Sequence, residues 1–455
     1  PDLGKEGYIK AGTVKGRGLV PRSEKKENPE KSAKTGVLNP LQAQAVTHAD
    51  GPLLIVAGPG TGKTHTLTRR IAHLVLEKKV KPEKILALTF TAKAAGEMKQ
   101  RLKKHLVREK TLPMAATIHS FCQTLLRDIE GEPAQATLAD DHVKADLIRK
   151  ALEQNNEKAT RALAGKMGAL IERAKQNILG PSDDLSALCL KSAVRAPRLA
   201  AVYSDYQAGL ASENLMDFDD LIFNAVKHLE SDSGFLTAVR SRFPYVFVDE
   251  YQDLNQGQYR LVRALAGDRS DICVIGDPDQ AIYGFRGADS AYFNRFTDDY
   301  STATVIRLAR NYRSAENILE ASGQMIEKGA SGSGFTRSKL WSGIEERASI
   351  TVLENPSETS EAVAIGKRIE QMMGGTGFHS LDFHTRTMLG DENLGFGDFA
   401  ILTRTSPQGR LISEVLDKAG IPCRHVNRDH FLAMPQVAAA LALLKTVCGQ
   451  PLSSR

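Results

Sequence analysis

A glycine-rich loop that ends in Lys and Thr is the feature of the sequence with the clearest chemistry. Residues 58–64 read Gly-Pro-Gly-Thr-Gly-Lys-Thr and directly follow the apolar run Leu53–Ala57. A strand, a glycine-rich loop and a helix, predicted here over Thr64–Leu76, form the setting of a phosphate-binding loop. Glycines let the backbone approach a phosphate closely, and the N–H groups of the loop and of the helix N-terminus then face the anion. The sequence therefore predicts a binding site for a nucleoside triphosphate.

Two side chains of this loop have separate expected roles. Lys63 neutralises charge on the β- and γ-phosphates, and the hydroxyl of Thr64 ligates Mg²⁺. The strict pattern opens with Gly where this chain has Ala57, but the three glycines that follow keep the loop flexible. We predict ATP and Mg²⁺ as cofactors. The predicted nucleotide-binding residues of the loop are Ala57, Gly58, Pro59, Gly60, Thr61, Gly62, Lys63 and Thr64.

A pair of acids further along the chain complements this loop. The apolar run Tyr245–Val248 ends in Asp249 and Glu250. Asp249 is expected to hold Mg²⁺ through water, and Glu250 to orient and deprotonate the attacking water. Two acids after a strand are usually a solvated turn, but a phosphate-binding loop upstream favours catalysis. The two features together predict hydrolysis of ATP.

Short apolar runs are the elements that must position these residues. They are Leu53–Ala57, Ile85–Thr89, Tyr245–Val248 and Ile272–Ile275, and each leads into Gly, Thr or Asp. Such runs are typical of strands that are buried on both faces of a parallel sheet. Ligands bind at the carboxyl ends of the strands in such sheets, where most of the chemical motifs of this chain fall. The sequence thus predicts an α/β fold.

The remaining chain divides by its residue pattern. Residues 1–36 are polar and glycine-rich and are predicted to be a tail or linker, while Phe121–Asn214 has helical spacing. A second α/β pattern starts at Ile306. Its predicted strands are Ser349–Leu353 and Phe399–Thr403, its predicted helices are Ser360–Met373, Gly409–Ala419 and Pro435–Val447, and Gly374–Gly397 is a predicted surface insertion. The predicted domains are an ATPase domain (37–120 and 213–305), a helical insertion (121–212) and part of a second α/β domain (306–455).

Composition narrows the class of protein. The chain has 455 residues, enough for two to four domains, of which 42% are hydrophobic and 25% charged. The sequence has no apolar run near the roughly 20 residues of a membrane helix and no signal peptide before Lys34. Its five cysteines lie far apart without a CxxC pair, so neither a zinc site nor a disulfide framework is expected. This use of cysteine predicts a location in the reducing cytoplasm. A net charge of +6 fits either solubility or attraction to phosphate backbones.

The block Asp249-Glu-Tyr-Gln-Asp253 resembles the superfamily 1A DNA helicases, the UvrD/Rep/PcrA family. The same resemblance is carried by Leu38-Asn-Pro-Leu-Gln42, by residues 89–98 (TFTAKAAGEM), 117–122 (TIHSFC) and 216–221 (MDFDDL), and by 274–287 (VIGDPDQAIYGFRG) and 310–314 (RNYRS). It runs from about Leu38 to the end of the chain, and a P-loop kinase would explain none of these blocks. The resemblance implies a RecA-like P-loop NTPase with an inserted helical subdomain and a partial second RecA-like domain.

The resemblance also assigns roles around the nucleotide. Gln42 would read the adenine edge and Tyr312 would stack on the base. Gln280 would sense the γ-phosphate, and Arg313 would reach it as an arginine finger. The family pattern commonly has Arg shortly after the loop threonine, whereas the next residue here is His65, so His65 is not included among the predicted site residues.

The resemblance further implies single-stranded DNA and single-strand/duplex junctions as partners. Base stacking is expected at Phe90, Phe218, Tyr283 and Phe285, and phosphate contacts at Thr91, Lys93, Thr117 and His119. For a Phe beside a strand, core packing is an equally good interpretation, and a lone His is more often structural. Phe285 favours stacking because it lies in a loop between Gly284 and Arg286, and Arg286 could join that loop to the ATP site.

The function predicted from these residues is an ATP-dependent DNA helicase and translocase, for which the family implies 3′→5′ movement. Two later family blocks, Gly-Leu-Glu and Arg-x-x-x-Val-Ala-x-Thr-Arg, do not occur before Arg455. We therefore expect the chain to stop partway through the second motor domain and unwinding to be weak. Two alternatives stay open: the motor of a helicase–nuclease subunit, and a non-motor DNA-binding protein switched by ATP. The intact set of Asp249, Glu250, Gln280 and Arg313 argues against the second.

Overall fold

The computed structural model describes residues 38–130, 136–190, 192–268, 271–329, 339–373, 394–425 and 435–447. The predicted tail and most of the predicted insertion at 374–397 lie outside this range. The described residues form two compact units, one over 38–349 and one from Ile350 onward. No helix among them is long and apolar enough to span a bilayer.

The first unit is built on a six-stranded parallel sheet. The strands of the described residues are β1 (Leu53–Ala57), β2 (Ile85–Thr89), β3 (Met114–Thr117), β4 (Thr137–Leu138), β5 (Leu215–Met216), β6 (Tyr245–Val248), β7 (Asp271–Gly276), β8 (Thr304–Leu308), β9 (Arg310–Asn311) and β10 (Trp341–Ser342). The order in the sheet is β3-β2-β6-β7-β1-β8. All neighbours are parallel, so every strand ends at the same edge. The predicted α/β fold with a parallel sheet is confirmed.

Helices cover both faces of this sheet and form the insertion. The helices of the described residues are α1 (Pro40–Thr47), α2 (Lys63–Leu76), α3 (Ala92–His105), α4 (Ile118–Glu130), α5 (Asp141–Gln154), α6 (Arg161–Gln176), α7 (Ser186–Cys189), α8 (Ala196–Ser212), α9 (Phe218–Ser231), α10 (Ser233–Arg242), α11 (Gln256–Ala266), α12 (Ala291–Asp299), α13 (Glu316–Gly329), α14 (Glu358–Met372), α15 (Ser406–Lys418) and α16 (Pro435–Val447). Short 3₁₀ turns follow β6 and β7 at Tyr251–Asp253, Pro278–Gln280 and Gly284–Arg286.

Strand β1 shows why these runs form buried strands. Successive side chains of a strand point to opposite faces, so Leu54 joins one hydrophobic core while Leu53 and Ile55 join the other. All three side chains are completely buried. Burial of each is worth roughly 1.5–3 kcal/mol, which favours an uninterrupted apolar run at the centre of a covered sheet.

The helical insertion has a core of its own. Helices α5, α6 and α8 pack together around buried residues such as Leu152, Leu199 and Tyr203. Its entry and exit are joined by the short parallel pair β4 and β5, in which Thr137 lies opposite Leu215. The insertion therefore returns the chain to the sheet close to where it left.

Two predicted strands are wrong. Ser349–Leu353 and Phe399–Thr403 form no strand, and Val352 and Leu402 are 90% and 95% exposed. An apolar run becomes a strand only where a neighbour pairs with its N–H and C=O groups, and within the described residues neither segment has one. The predicted helices of this region are confirmed, with shifts of up to three residues at their ends. Ile306 lies in β8, inside the first sheet, so the first compact unit continues past the predicted start of the second domain.

Candidate nucleotide-binding and catalytic site

The glycine-rich loop joins β1 to α2, as its pattern predicts. Gly60 and Gly62 have φ of +70° and +87°, a left-handed conformation that favours glycine. A Cβ at Gly60 would lie 2.6 Å from the side-chain nitrogen of Asn311, so there is also no room for one. Helix α2 begins at Lys63, and its first N–H groups therefore face the loop.

Two buried side chains brace this loop from behind. The Thr61 hydroxyl donates to the Gly58 carbonyl (2.7 Å), and the Gln42 amide donates to the Thr61 carbonyl (3.0 Å). Gln42 Oε1 in turn accepts from the N–H of Asn39 (3.0 Å) in a capping box at the start of α1. Gln42 thus supports the loop, and its contact with adenine stays a prediction.

Lys63, Glu250 and Gln280 converge at one cleft of about 390 Å³. The ammonium of Lys63 lies 2.9 Å from a Glu250 carboxylate oxygen and 3.5 Å from Gln280 Oε1. Strands β6, β7 and β1 are neighbours in the sheet. The segments that follow them, with Glu250, Gln280 and Lys63, therefore meet at one edge of the sheet. The cleft is lined by Pro59, Gly60, Gly62, Lys63, Thr64, His65, Arg101, Glu250, Gln280, Tyr312 and Arg313.

The paired acids after β6 have different surroundings. Asp249 is buried, and its carboxylate accepts from the N–H of Glu250 (3.0 Å). Burial, and then the neighbouring Glu250 charge, raises the pKa of Asp249 to about 7. Glu250 adopts a φ of +52°, which costs a non-glycine residue roughly 1–2 kcal/mol. Strain of this kind collects at functional sites, where it aims a side chain that an extended strand would point elsewhere.

A closed ring of hydrogen bonds holds the two acid-bearing segments together. Gln252 donates to Glu250 (2.9 Å) and accepts from the N–H of Asp277 (3.0 Å). Asp277 accepts from Gln280 (2.6 Å), and Gln280 faces Lys63. The ring thus links the Glu250 carboxylate to the Gln280 amide on both sides, through Lys63 and through Gln252 and Asp277.

The segment after β8 is bonded directly to the glycine-rich loop. The Asn311 amide donates to the Pro59 carbonyl (2.5 Å), and Asn311 Oδ1 accepts from the N–H of Arg313 (2.7 Å). The N–H of Tyr312 donates to the Gly60 carbonyl, and its hydroxyl accepts from Asn39 (both 2.8 Å). These bonds place Tyr312 and Arg313 on the wall of the cleft.

Several residues of the site were missed by the sequence prediction. His65 lines the cleft, and burial followed by the charge of Arg69 lowers its pKa, so its ring is neutral at pH 7. Arg101 also lines the cleft, but it lies in α3 with no local signal. Asn39 could have been found, because Asn followed three residues later by Gln is a capping-box pattern. Asn311 and Gln252 act through tertiary contacts that no spacing reveals.

The cleft fits a magnesium ion that arrives with a nucleotide. Thr64 lines the cleft, and the buried Asp249 directly precedes Glu250, which also lines it. A hydroxyl and a carboxylate are hard oxygen ligands of the kind that Mg²⁺ prefers. No group of three or more His, Cys, Asp or Glu able to hold a metal occurs in the part of the chain that the structure describes. Mg²⁺ typically binds one or two carboxylates plus substrate phosphates, and such a site needs no larger cluster.

The predicted aromatic residues, with His119, form two groups that follow β2, β3, β5 and β7 in the chain. Phe90 lies 5.0 Å from Tyr283 between ring centroids, and Tyr283 lies 6.1 Å from Phe285. The guanidinium of Arg286 lies over both Tyr283 and Phe285. Phe285 is 80% exposed, so core packing is not its role.

The second group pairs His119 with Phe218, whose rings stack at 4.2 Å. Phe218 is 53% exposed, whereas His119 is largely covered. Burial lowers the pKa of His119 to about 4, so this ring is neutral at pH 7 and offers a flat surface rather than a charge.

The predicted phosphate contacts have mixed positions. Thr91 and Thr117 cap helices, because their hydroxyl oxygens accept from the N–H groups of Ala94 and Ser120 (both 3.1 Å). Lys93 is exposed in the first turn of α3. Contacts of these three residues with DNA stay predictions.

Comparison with known proteins gives a consistent result along the chain. Residues 38–301 match the model of the UvrD/REP helicase N-terminal domain, and residues 306–450 match that of the UvrD-like helicase C-terminal domain. The chain is 36% identical over 413 residues to the ATP-dependent DNA helicase PcrA of Bacillus subtilis, covering 90% of this chain and 53% of that protein. It is 35% identical over 422 residues to the ATP-dependent DNA helicase UvrD1 of Mycobacterium bovis, covering 90% of this chain and 52% of that protein.

The chain spans about half the length of these curated relatives. The match to the N-terminal family model alone covers more than half of the chain and includes the glycine-rich loop, the paired acids and Gln280. This chain therefore belongs to the UvrD/REP helicase family.

Proposed function

We propose that this chain is the ATP-hydrolysing core of a DNA helicase that moves along single-stranded DNA. The observation that carries the proposal is the convergence of Lys63, Glu250 and Gln280 at one cleft, with Arg313 on its wall. The names of the relatives, ATP-dependent DNA helicases, support it.

Nucleotide binding changes the partners of Lys63. Its ammonium is bonded to Glu250 at 2.9 Å. The β- and γ-phosphates of ATP, cradled by the loop N–H groups, offer Lys63 a stronger negative partner. Transfer of Lys63 to the phosphates releases the carboxylate of Glu250, which is then free to accept a proton from water.

Hydrolysis then uses the side chains around the cleft. Glu250 removes the proton of the attacking water, a role worth roughly 10²–10⁴ in rate. Arg313 stabilises the charge that develops on the transferred phosphoryl group, worth roughly 10³–10⁵ in other NTPases. Thr64 and Asp249 would hold Mg²⁺ together with the phosphates, and the ion would supply further charge neutralisation.

The exposed aromatic groups supply the track for DNA. Bases of any sequence can stack on Phe90, Tyr283, Phe285 and Phe218, because every base has a π-face. Gln280 and Tyr283 are three residues apart in one segment, so loss of the γ-phosphate at Gln280 shifts the rings that hold the bases. Repeated cycles move the chain along a single strand towards a duplex junction, in the 3′→5′ direction that the family resemblance implies.

Two substitutions in the cleft test the ATPase assignment. Glu250→Gln should lower kcat of DNA-stimulated ATP hydrolysis by about 10²–10⁴ and preserve nucleotide affinity, because it removes only the base. Lys63→Ala should abolish nucleotide binding. Steady-state hydrolysis and fluorescent-nucleotide titration measure the two effects, with Glu153→Gln as an exposed control. Full turnover in either cleft variant would refute the assignment.

Phe285→Ala tests the motor assignment separately. Loss of one stacking surface should weaken single-strand affinity by roughly 1–3 kcal/mol and slow translocation, with ATP affinity unchanged. Stopped-flow translocation assays on labelled oligonucleotides measure this. Phe396→Ala, at another partly exposed Phe, is the matched control and should behave as the wild type. An unchanged translocation rate in Phe285→Ala would contradict the stacking role.

A cytoplasmic location completes the proposal. Within the described residues the cysteines are free, which suits a reducing compartment. We further propose single-strand/duplex junctions as the preferred DNA structure. Movement along one strand separates a duplex only where that strand becomes paired.

A further inference from the structure

A fully buried lysine lies where the helical insertion meets the ATPase sheet. Lys175, in the last turn of α6, bonds to Asp217 (2.6 Å) and Asp220 (2.7 Å). All three side chains are almost completely inaccessible to water. A buried lysine between two buried aspartates is costly to build, because each charge loses its hydration.

The two aspartates begin helix α9. Asp217 is its N-cap and accepts from the N–H groups of Asp219 (3.0 Å) and Asp220 (2.9 Å), while Asp220 accepts from the N–H of Asp217 (2.9 Å). This reciprocal capping box fixes the direction in which α9 starts. Phe218, the first residue of α9, is thereby held on the surface against His119.

Helix α8 of the insertion contacts the other side of the cluster. Tyr206 donates to Asp217 (2.8 Å), and Gln207 donates to Asp220 (3.2 Å). The ammonium of Lys175 also lies 5.1 Å from the ring of Tyr206. Because α8 contributes these contacts, the cluster joins two helices of the insertion to the first turn of α9.

The end of α6 also touches the loop that carries Phe285. A Cβ at Gly287 would lie 2.8 Å from the side-chain oxygen of Gln176, and a Cβ at Gly257 would lie 3.1 Å from the Gln176 carbonyl. Gly287 also has a φ of +81°, which favours glycine, and a side chain at Gly257 would make the contact with α6 tight. The end of α6 therefore contacts the elements that present both Phe218 and Phe285.

We propose that Lys175 is a positioning residue for single-stranded DNA, which fixes Phe218 and the Phe285 loop at the spacing that successive bases require. The inference rests on the proposed function, because it assumes that these rings stack on DNA. Lys175 itself touches no phosphate, since its ammonium is buried and bonded to two carboxylates. Its effect on DNA binding is transmitted through the start of α9.

Lys175→Met tests the proposal, because it keeps the aliphatic stem and removes the charge. The probe is an oligodeoxythymidylate with one 2-aminopurine, whose fluorescence reports stacking. We expect the affinity to fall at least about tenfold, as when one base–aromatic stack is lost, and the stacking signal to weaken. The nucleotide affinity of Lys175→Met should stay within about twofold of wild type. The control is Lys166→Met, at an exposed lysine of the same helix, whose DNA affinity should also stay within about twofold of wild type.

A second variant guards against misfolding. Lys175→Met combined with Asp217→Asn and Asp220→Asn removes the unpaired charges and keeps an asparagine cap at the start of α9. It should bind nucleotide normally and show the same DNA defect, and Lys175→Arg should restore part of the affinity. The dependence of affinity on salt should keep its slope, because no phosphate contact is lost.

The outcomes separate the two proposals. If the wild type fails to bind the oligonucleotide, the proposed function is wrong. If the wild type binds and both charge-free variants match it in affinity and stacking signal, the role of Lys175 is wrong. A shallower salt slope in Lys175→Met would mean a direct phosphate contact, and loss of nucleotide binding in both variants would mean a role in the whole unit; either result overturns the proposal.

Discussion

At the scale of single residues, Asn311 joins the glycine-rich loop to the segment that carries Tyr312 and Arg313. Its fully buried side chain donates to the Pro59 carbonyl and accepts from the N–H groups of Arg313 and Ser314. The same amide occupies the space that a side chain at Gly60 would need. One residue thereby sets the separation between the phosphate loop and the arginine segment.

Asn311→Ala should lower stability by about 1–3 kcal/mol, because it leaves buried backbone groups unpaired. It should also lower kcat, since Arg313 loses its anchor. Chemical denaturation and steady-state hydrolysis measure the two effects. Asn317→Ala, which removes a side-chain bond to the Ala348 carbonyl away from the cleft, should cost stability without changing nucleotide affinity. Equal kcat in Asn311→Ala and the wild type would contradict this role.

Asp219 predicts a pH dependence of stability. Burial, and then the carboxylates of Asp217 and Glu172, raises the pKa of Asp219 to about 7, against about 3.9 in an unfolded chain. Between these values the folded state keeps a proton that the unfolded chain has released, so stability falls as pH rises through the window. Asp219→Asn should therefore be more stable than the wild type at pH 8, and the difference should disappear near pH 4. Urea unfolding at several pH values measures this; a constant difference would refute it.

At the scale of elements, the short strand β10 clamps the arginine segment in place. The N–H groups of Trp341 and Gly343 donate to the carbonyls of Ala309 (3.0 Å) and Asn311 (2.7 Å). Ser342 adds a bond from its hydroxyl to the Ser314 carbonyl (2.7 Å). These bonds hold the segment that leads into Arg313, the proposed arginine finger.

Gly343→Ala tests this clamp. A Cβ there would lie 3.0 Å from Arg310 Nε and 3.2 Å from the Asn311 carbonyl, so these atoms must give way slightly. A small displacement of the segment should lower kcat by up to roughly tenfold, with single-strand affinity unchanged. Gly323→Ala, at an open position in α13, is the control and should be neutral or stabilising by roughly 0.5–1 kcal/mol. Normal hydrolysis by Gly343→Ala would show that β10 does not govern Arg313.

At the scale of the whole molecule, the strand order places the proposed nucleotide site and the proposed DNA-binding aromatic residues at different positions along one edge of the sheet. Strands β1, β6, β7 and β8 carry the nucleotide residues, and β2 and β3, at the other end of the order, carry Phe90 and His119. Strand β7 serves both, because the segment after it holds Gln280 and then Tyr283. The two regions therefore lie along the same edge of one sheet.

The net charge of +6 predicts strongly salt-dependent DNA binding. Single-strand affinity should fall on the order of tenfold or more between about 50 and about 200 mM salt, because phosphate contacts release counterions. Lys93→Ala should reduce the slope by about 0.7, the value for one contact to a single strand. Fluorescence anisotropy titrations measure both slopes. A slope near zero would mean that stacking alone, without phosphate contacts, holds the strand.

Much of the fold could be predicted from local pattern. The four central strands were predicted within a residue, because burial on both faces demands an unbroken apolar run. The segments at Ser349–Leu353 and Phe399–Thr403 have similar runs but no strand partner in the described residues, so the same signal was misleading. Sequence pattern reports the tendency of a segment, whereas pairing depends on its neighbours.

The sequence by itself determined which residues are proposed for the nucleotide chemistry. Lys63, Glu250 and Gln280 were identified because phosphate binding and proton transfer require those residue types directly after strands. Tertiary structure alone decided what holds them: the left-handed backbone of Glu250, the Asn311 bridge and the buried Lys175 cluster. Such contacts join residues far apart in the chain, and their cost or benefit depends on burial, which is a property of the folded protein and not of any local spacing.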